Sequence, residues 1–211
     1  DTQQFAVADM QVLVEHFRRL LLQLSEAPQR PLGELRLLDD SEREALRQLG
    51  QGEMQPQWYA QSYLARFEAQ VEQQGARTVA RCQGQTLSYL ELNERANRIG
   101  HGLIECGVQF DDVVALYAPR GLPLLSLIIG AFKAGAAYLA LDERHPPARS
   151  ARMLASSAAP VLITLREQLA QVQAMLAELP QPPRVLVYED LLEHSRRDNP
   201  GRYAGPEHLA Y

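Results

Sequence analysis

Five histidines, two cysteines and a single lysine are the side chains on which metal, nucleophilic or Schiff-base chemistry could be built in this chain. Their spacing assembles no site. His16, His101, His145, His194 and His208 lie far apart, and none stands with cysteine or carboxylate in a Cys-x-x-Cys or His-Glu-x-x-His arrangement, so no metal ligand is assigned. Cys82 falls in a strand-like run and Cys106 near a helix end; both read as reduced, inert core thiols. No Gly-x-Ser-x-Gly elbow occurs. Lys133 is followed by Ala134 and lacks the preceding glycine of a Gly-x-x-x-x-Gly-Lys-Ser/Thr loop, which excludes a P-loop NTPase. Phe132 to Tyr138 reads as a helix end, a glycine cap at Gly135 and the start of a buried strand. Lys133 is expected in the last helical turn, exposed, where a cation complements the helix dipole. Gly135 is expected in a left-handed conformation. Ser88-Tyr89-Leu90-Glu91 fits a capping box, a structural role. On these grounds no catalytic residue is assigned, and the cofactor-binding residues are unknown.

The elements that hold these residues are legible from periodicity. Met10, Leu13, Val14, Phe17, Leu20, Leu21 and Leu24 form one apolar stripe and predict an amphipathic helix over 9–25 with Asp9 as N-cap. So short a helix has little local chain to cover its stripe, and residue 1 is expected to be a cut in a longer chain. From Ala27 to Gln57 proline and glycine dominate around one short helix, Ser41 to Leu49, as in a structured linker. Beyond it come a helix marked by Tyr63, Leu64, Phe67 and Val71, and a hairpin of Thr78–Cys82 and Gln85–Ser88 about Gln83-Gly84. A helix from Ser88 ends near Gly107. Strands at 113–117, 138–141, 161–164 and 185–188 then alternate with helices through Phe132 and over 147–157 and 166–179. This punctuation predicts an α/β fold, a doubly wound, mostly parallel sheet with helices on both faces, preceded by a helical linker segment. Arg196 to Pro206 reads as a surface loop.

Composition narrows the functional classes. With 211 residues, 46% hydrophobic and 22% charged, the chain can bury one or two sizeable cores. The longest apolar run, Leu122 to Ala137, is broken by Pro123, Gly130, Lys133 and Gly135, and falls short of the roughly 20 residues of a transmembrane helix, so no membrane span is expected. A net charge of −5 argues against nucleic acid as a partner. The N-terminus does not begin like a secretory signal, and cytoplasm is the expected compartment.

Three stretches carry a family resemblance. Leu87-Ser88-Tyr89-Leu90-Glu91-Leu92-Asn93, continued by Arg95-Ala96-Asn97-Arg98-Ile99, resembles the first core motif of nonribosomal peptide synthetase adenylation domains, members of the adenylate-forming ligase superfamily. Phe132 to Asp142, with Lys133, Gly135 and Tyr138, followed by His145-Pro146 and Arg149, resembles the second. His208-Leu209-Ala210-Tyr211 resembles the strand that enters the third, a Ser/Thr/Gly-rich phosphate loop. Ala140 and Glu143 stand where prolines are common in the family. Asp1 to Leu24 is similar to the end of a condensation domain, and Leu35 to Leu49 to the condensation-adenylation linker.

The resemblance implies a condensation-domain tail over 1–26, a linker over 27–57 and the adenylation domain's N-terminal subdomain over 58–211. It implies ATP and Mg²⁺ as cofactors, an amino acid as substrate and phosphopantetheine on a carrier domain as acceptor. Condensation and carrier domains of the same synthetase are the implied partners, and some members bind a small MbtH-like protein. Leu87, Ser88, Tyr89, Glu91, Leu92, Lys133, Gly135, Tyr138, Asp142, Pro146 and Arg149 are implied as structural core-motif positions; the phosphate loop, amino acid pocket and catalytic lysine belong to later motifs than this chain reaches. Three other readings stand beside it. A flavodoxin-like nucleotide module is poorly served by Ala118-Pro119-Arg120-Gly121; the others are a non-catalytic interaction platform and an acyl-CoA synthetase-like ligase.

Overall fold

The computed structural model describes residues 5–53, 62–177 and 179–211, in two units that divide at Gln55 and Pro56. The expected boundary at residues 57 and 58 and the opening residues 1–4 lie outside the described residues.

In the first unit the stripe-bearing helix is α1, Val7–Glu26. Its N-cap is Ala6, which offers no side-chain acceptor; Asp9 lies inside the first turn instead of capping it, where its charge meets the positive end of the dipole. Helix α2, Asp40–Gly50, opens with a reciprocal capping box between Asp39 and Glu42. Arg19 of α1 donates to Asp39 at 2.9 Å and to Glu42 at 2.8 Å, and His16 lies 2.7 Å from Glu42. These two helices therefore meet through polar contacts, while Leu13, Val14, Phe17 and Leu21 stay exposed.

The second unit starts with α3, Tyr63–Gln74, whose first turn is capped by the Ser62 hydroxyl. Strands β1, Thr78–Cys82, and β2, Gln85–Ser88, pair antiparallel. Gln83 and Gly84 between them both take positive φ, the mirror-image turn that suits the strand twist. Helix α4, Tyr89–Glu105, follows. Then come β3 (Val113–Tyr117), α5 (Leu122–Lys133), β4 (Ala137–Leu141), α6 (Pro147–Ser157), β5 (Val161–Thr164), α7 (Leu169–Leu176), β6 (Arg184–Val187) and α8 (Tyr188–Leu191). Strands β3 to β6 form one parallel sheet in the order β4-β3-β5-β6, so the fold is the expected α/β type.

Alternate strand residues feed two cores. Val114, Leu116, Val161 and Ile163 pack with Ile99, Leu103, Leu127 and Leu191 on the α4, α5 and α8 face; Ala115, Tyr117 and Leu162 pack with Leu154, Val172 and Met175 on the α6 and α7 face. A third core joins Leu64 and Phe67 of α3 to Leu87, Leu92, Ala96 and Ile129. Period-two alternation accounts for this two-sided burial.

The structure departs from the periodicity in two places. The helix expected over 166–179 is a 3₁₀ turn, Arg166–Gln168, followed by α7, which stops at Leu176. Tyr188, expected to end a strand, opens α8 with its ring buried. Runs this short do not separate strand from helix by periodicity. No helix among the described residues is long and apolar enough to cross a membrane.

Candidate functional site

In open parallel sheets ligands bind beyond the carboxyl ends of the strands, where the winding reverses. Here β3 is flanked by β4 on one side and β5 on the other, which puts the reversal at the exits of β3 and β5. The β3 exit, Ala118 to Gly121, leads into α5, and Gly121 caps that helix without a side chain. At the β4 exit the Arg144 guanidinium beside Asp142 holds its carboxyl well below the usual carboxylate range. Glu143 accepts from Gln168 Nε2 at 2.7 Å, tying this exit to the segment after β5. Burial, and then Glu143 and Asp142, push up the Tyr117 hydroxyl. The edge is thus braced by its own polar groups. Among the described residues no group of three or more His, Cys, Asp or Glu could hold a metal ion.

The densest polar cluster lies elsewhere, and it corrects the reading of Lys133. Its backbone closes α5 as expected, but its side chain is 1% exposed and its Nζ donates to Glu68 Oε1 of α3 at 2.5 Å. Nζ also donates to Asn199 Oδ1 at 3.1 Å, and that oxygen accepts from Asn93 Nδ2 of α4 at 3.1 Å. Tyr203 OH donates to the second Glu68 oxygen at 2.6 Å. Burial pulls the lysine down from its ordinary range, opposed by the hydrogen bond and charge of Glu68. The physical reason for the departure is packing. With α3 laid across α5, the end of α5 is interior, and an ammonium there must be paired. A lysine so committed is a brace between elements, with no free lone pair for nucleophilic work.

The other core-motif positions divide between the third core, the start of α4, the α5–β4 corner and the β4 exit. Leu87 and Leu92 are buried in the third core. Ser88 caps α4: its Oγ accepts from the Glu91 amide at 3.2 Å, and Glu91 Oε2 accepts from the Ser88 amide at 2.8 Å. Tyr89 packs its ring 6.2 Å from Phe67, and Tyr138 sets its ring 5.7 Å from Phe132. Gly135 has φ +81°. Pro146 precedes α6, and Arg149 is exposed in its first turns. We expect Ser88→Ala to lower the unfolding free energy by about 0.5–2 kcal/mol; an unchanged denaturant midpoint would show that the cap contributes nothing.

Sequence reasoning does not find Glu68, Asn93, Asn199 or Tyr203. A lone lysine in an otherwise apolar helix is the available signal, since it implies a buried acidic partner; that partner is 65 residues away. The loop after α8 lies at the surface as expected, with residues 196–199 exposed, and two of its carbonyls are bonded from α4. Asn97 Nδ2 donates to the Arg197 carbonyl at 2.5 Å, and His101 Nε2 lies 2.8 Å from the Asp198 carbonyl. Cys82 and Cys106 are free, and each is half-buried where a core thiol is expected. Beside the brace runs a groove of about 600 Å³ whose walls include Tyr63, Phe132, Tyr203 and His208.

Comparison with known proteins places this geometry. A sequence profile described as AMP-binding enzyme matches residues 67–211. Over 197 residues, 90% of the chain, it is 36% identical to surfactin synthase subunit 3 of Bacillus subtilis (strain 168), of which it spans 14%. Over 213 aligned residues, 100% of the chain, it is 30% identical to a linear gramicidin synthase protein of Brevibacillus parabrevis, of which it spans 4%. The AMPPNP-bound form of the nonribosomal peptide synthetase FmoA3 superposes with a TM-score of 0.70 at 25% identity, over 98% of this chain and 22% of that one.

Proposed function

Because this chain belongs to the AMP-binding enzyme family, as part of an adenylation domain of the nonribosomal peptide synthetase type, we propose that its parent activates an amino acid with ATP and loads it onto a carrier domain. A carboxylate oxygen of the amino acid attacks the α-phosphorus and pyrophosphate leaves. The phosphopantetheine thiol, losing its proton, then attacks the acyl carbon and AMP leaves. The match of residues 67–211 to AMP-binding enzymes carries this reading, and the AMPPNP-bound relative supports the use of ATP.

Within this reading residues 58–211 are the N-terminal subdomain, 27–57 the interdomain linker and 1–26 the tail of a condensation domain. Condensation and carrier domains are the partners, an MbtH-like protein is an optional one, and the cytoplasm is the compartment. The segment contributes scaffold: the capped α4, the tight α5–β4 corner and the buried Lys133–Glu68 brace. In this reading magnesium and most contacts to ATP belong to other parts of the domain.

Adenylate formation needs donors around the phosphates and positive charge at the pentacoordinate phosphorus; the one lysine here is committed inside the fold. Residues 1–211 expressed alone should therefore show no amino-acid-dependent exchange of pyrophosphate into ATP, while the complete domain should. Exchange by the isolated segment above a no-enzyme control would reveal an overlooked site. Failure of the complete domain with all common amino acids would favour a non-catalytic interaction platform.

A further inference from the structure

The segment from Asn199 to Tyr211 forms no helix or strand, yet it is fastened along its length. Asn199 and Tyr203 enter the buried cluster of Lys133 and Glu68. Arg202 lies 4.5 Å over the Phe110 ring, and His208 stacks on the same ring at 5.0 Å. Asp111 accepts from the Leu209 amide at 2.8 Å. Finally the Tyr138 amide donates to the Ala210 carbonyl at 3.2 Å, so the segment finishes beside β4, the outer strand of the sheet.

These attachments are unequal. The contacts of His208 and Asp111 lie at the surface, where solvent and salt weaken charged interactions, whereas Arg202 is half-buried and also donates to the Val108 carbonyl at 3.1 Å. Tyr203 is itself 48% exposed, but its hydroxyl bonds a carboxylate that is 7% exposed, and a hydrogen bond to a buried charge is among the stronger ones available to a protein. Tyr203 also stands between Asn199 and the β4 contact in sequence, so its loss would leave the stretch that leads to Ala210 held by the contacts of His208, Leu209 and Ala210 alone.

We propose that Tyr203 is a positioning residue for adenylate formation: by donating to Glu68 within the Lys133 pair, it fixes the segment ending at Tyr211 along the edge of β4. This rests on the functional reading above and on the resemblance of His208–Tyr211 to the strand that enters the phosphate loop. Tyr203→Phe keeps the ring that walls the groove and removes only the hydroxyl. The Lys133–Glu68 pair itself is left in place.

The test compares the complete synthetase with its Tyr203→Phe variant by hydrogen–deuterium exchange and by pyrophosphate exchange, with Ser88→Ala as a control for general destabilisation. Peptides covering 203–211 should exchange about 10- to 100-fold faster in Tyr203→Phe, those covering β3 should not change, and KM for ATP should rise by a larger factor than kcat falls. Ser88→Ala should leave the 203–211 peptides and KM for ATP at wild-type values. Unchanged exchange in 203–211 would overturn the clamp, and faster exchange with an unchanged KM for ATP would overturn the positioning role. Should Tyr203→Phe not fold, Asn199→Ala removes the other arm and is read in the same way. A wild-type synthetase without pyrophosphate exchange would sink the functional reading, while hydrogen exchange would still decide the clamp.

Discussion

Lys133→Met is expected to destabilise the chain by about 3–5 kcal/mol, the cost of stripping one partner from a buried ion pair. The methionine fills much of the volume, so the loss is electrostatic: Glu68 keeps one donor, Tyr203, and Asn199 keeps only Asn93. Had the side chain been exposed at the helix end, the same change would cost only about 0.3–1 kcal/mol of dipole interaction. Denaturant titration separates the two cases by magnitude alone. Lys133→Met combined with Glu68→Leu should recover a large part of the loss, because an apolar pair of similar volume needs no desolvation of charge. Recovery should remain incomplete, since Tyr203 and Asn199, both in contact with solvent, each lose an ordinary hydrogen bond in the double variant, worth about 0.5–1.5 kcal/mol. A single-variant loss under about 1 kcal/mol would contradict the buried pair.

Gly135→Val should cost about 2–5 kcal/mol, from two separable sources. The first is backbone: at φ +81° a side chain is disfavoured by about 1–2 kcal/mol in the left-handed region. The second is contact, because a Cβ built on Gly135 would lie 2.7 Å from two atoms of the Phe110 ring, and overpacking adds about 1–3 kcal/mol. The corner cannot relax easily. Gly135 and Ala136 amides return to the Phe132 and Ala131 carbonyls and close α5, while the Ala137 amide is bonded to the Asp112 carbonyl. Adding Phe110→Ala should restore the contact part and leave the backbone part. If Gly135→Val were as stable as wild type, the left-handed corner would be absent in solution.

Local chemistry is legible in the order of residues alone. Ser88 and Glu91 are three residues apart, and a capping box needs only that spacing; Gly135 follows a helical run and precedes a strand, which leaves few conformations for the corner. The strands at 113–117 and 161–164 and the helix over 147–157 are likewise apparent, the strands because burial on both faces demands continuous apolar runs, the helix because its buried residues fall four apart. The family is legible for the same reason, since its motifs are contiguous stretches of chain.

What the tertiary structure alone decided is which distant groups share an environment. The periodicity of α5 assigns Lys133 to its last turn, but whether that turn faces water or another helix depends on where α3 comes to rest. Lys133, Glu68, Asn93, Asn199 and Tyr203 belong to three helices and a loop, and nothing in their spacing couples them. Burial converts that accident of sequence into a requirement: once α3 excludes water from the end of α5, a charge there is stable only with an opposite charge and further hydrogen bonds beside it. The polar loop after α8 stays at the surface, as its composition reads, but that two of its carbonyls meet Asn97 and His101 of α4 is again decided by the assembled fold. Desolvation is a property of the assembled layers, so no one-dimensional pattern contains it.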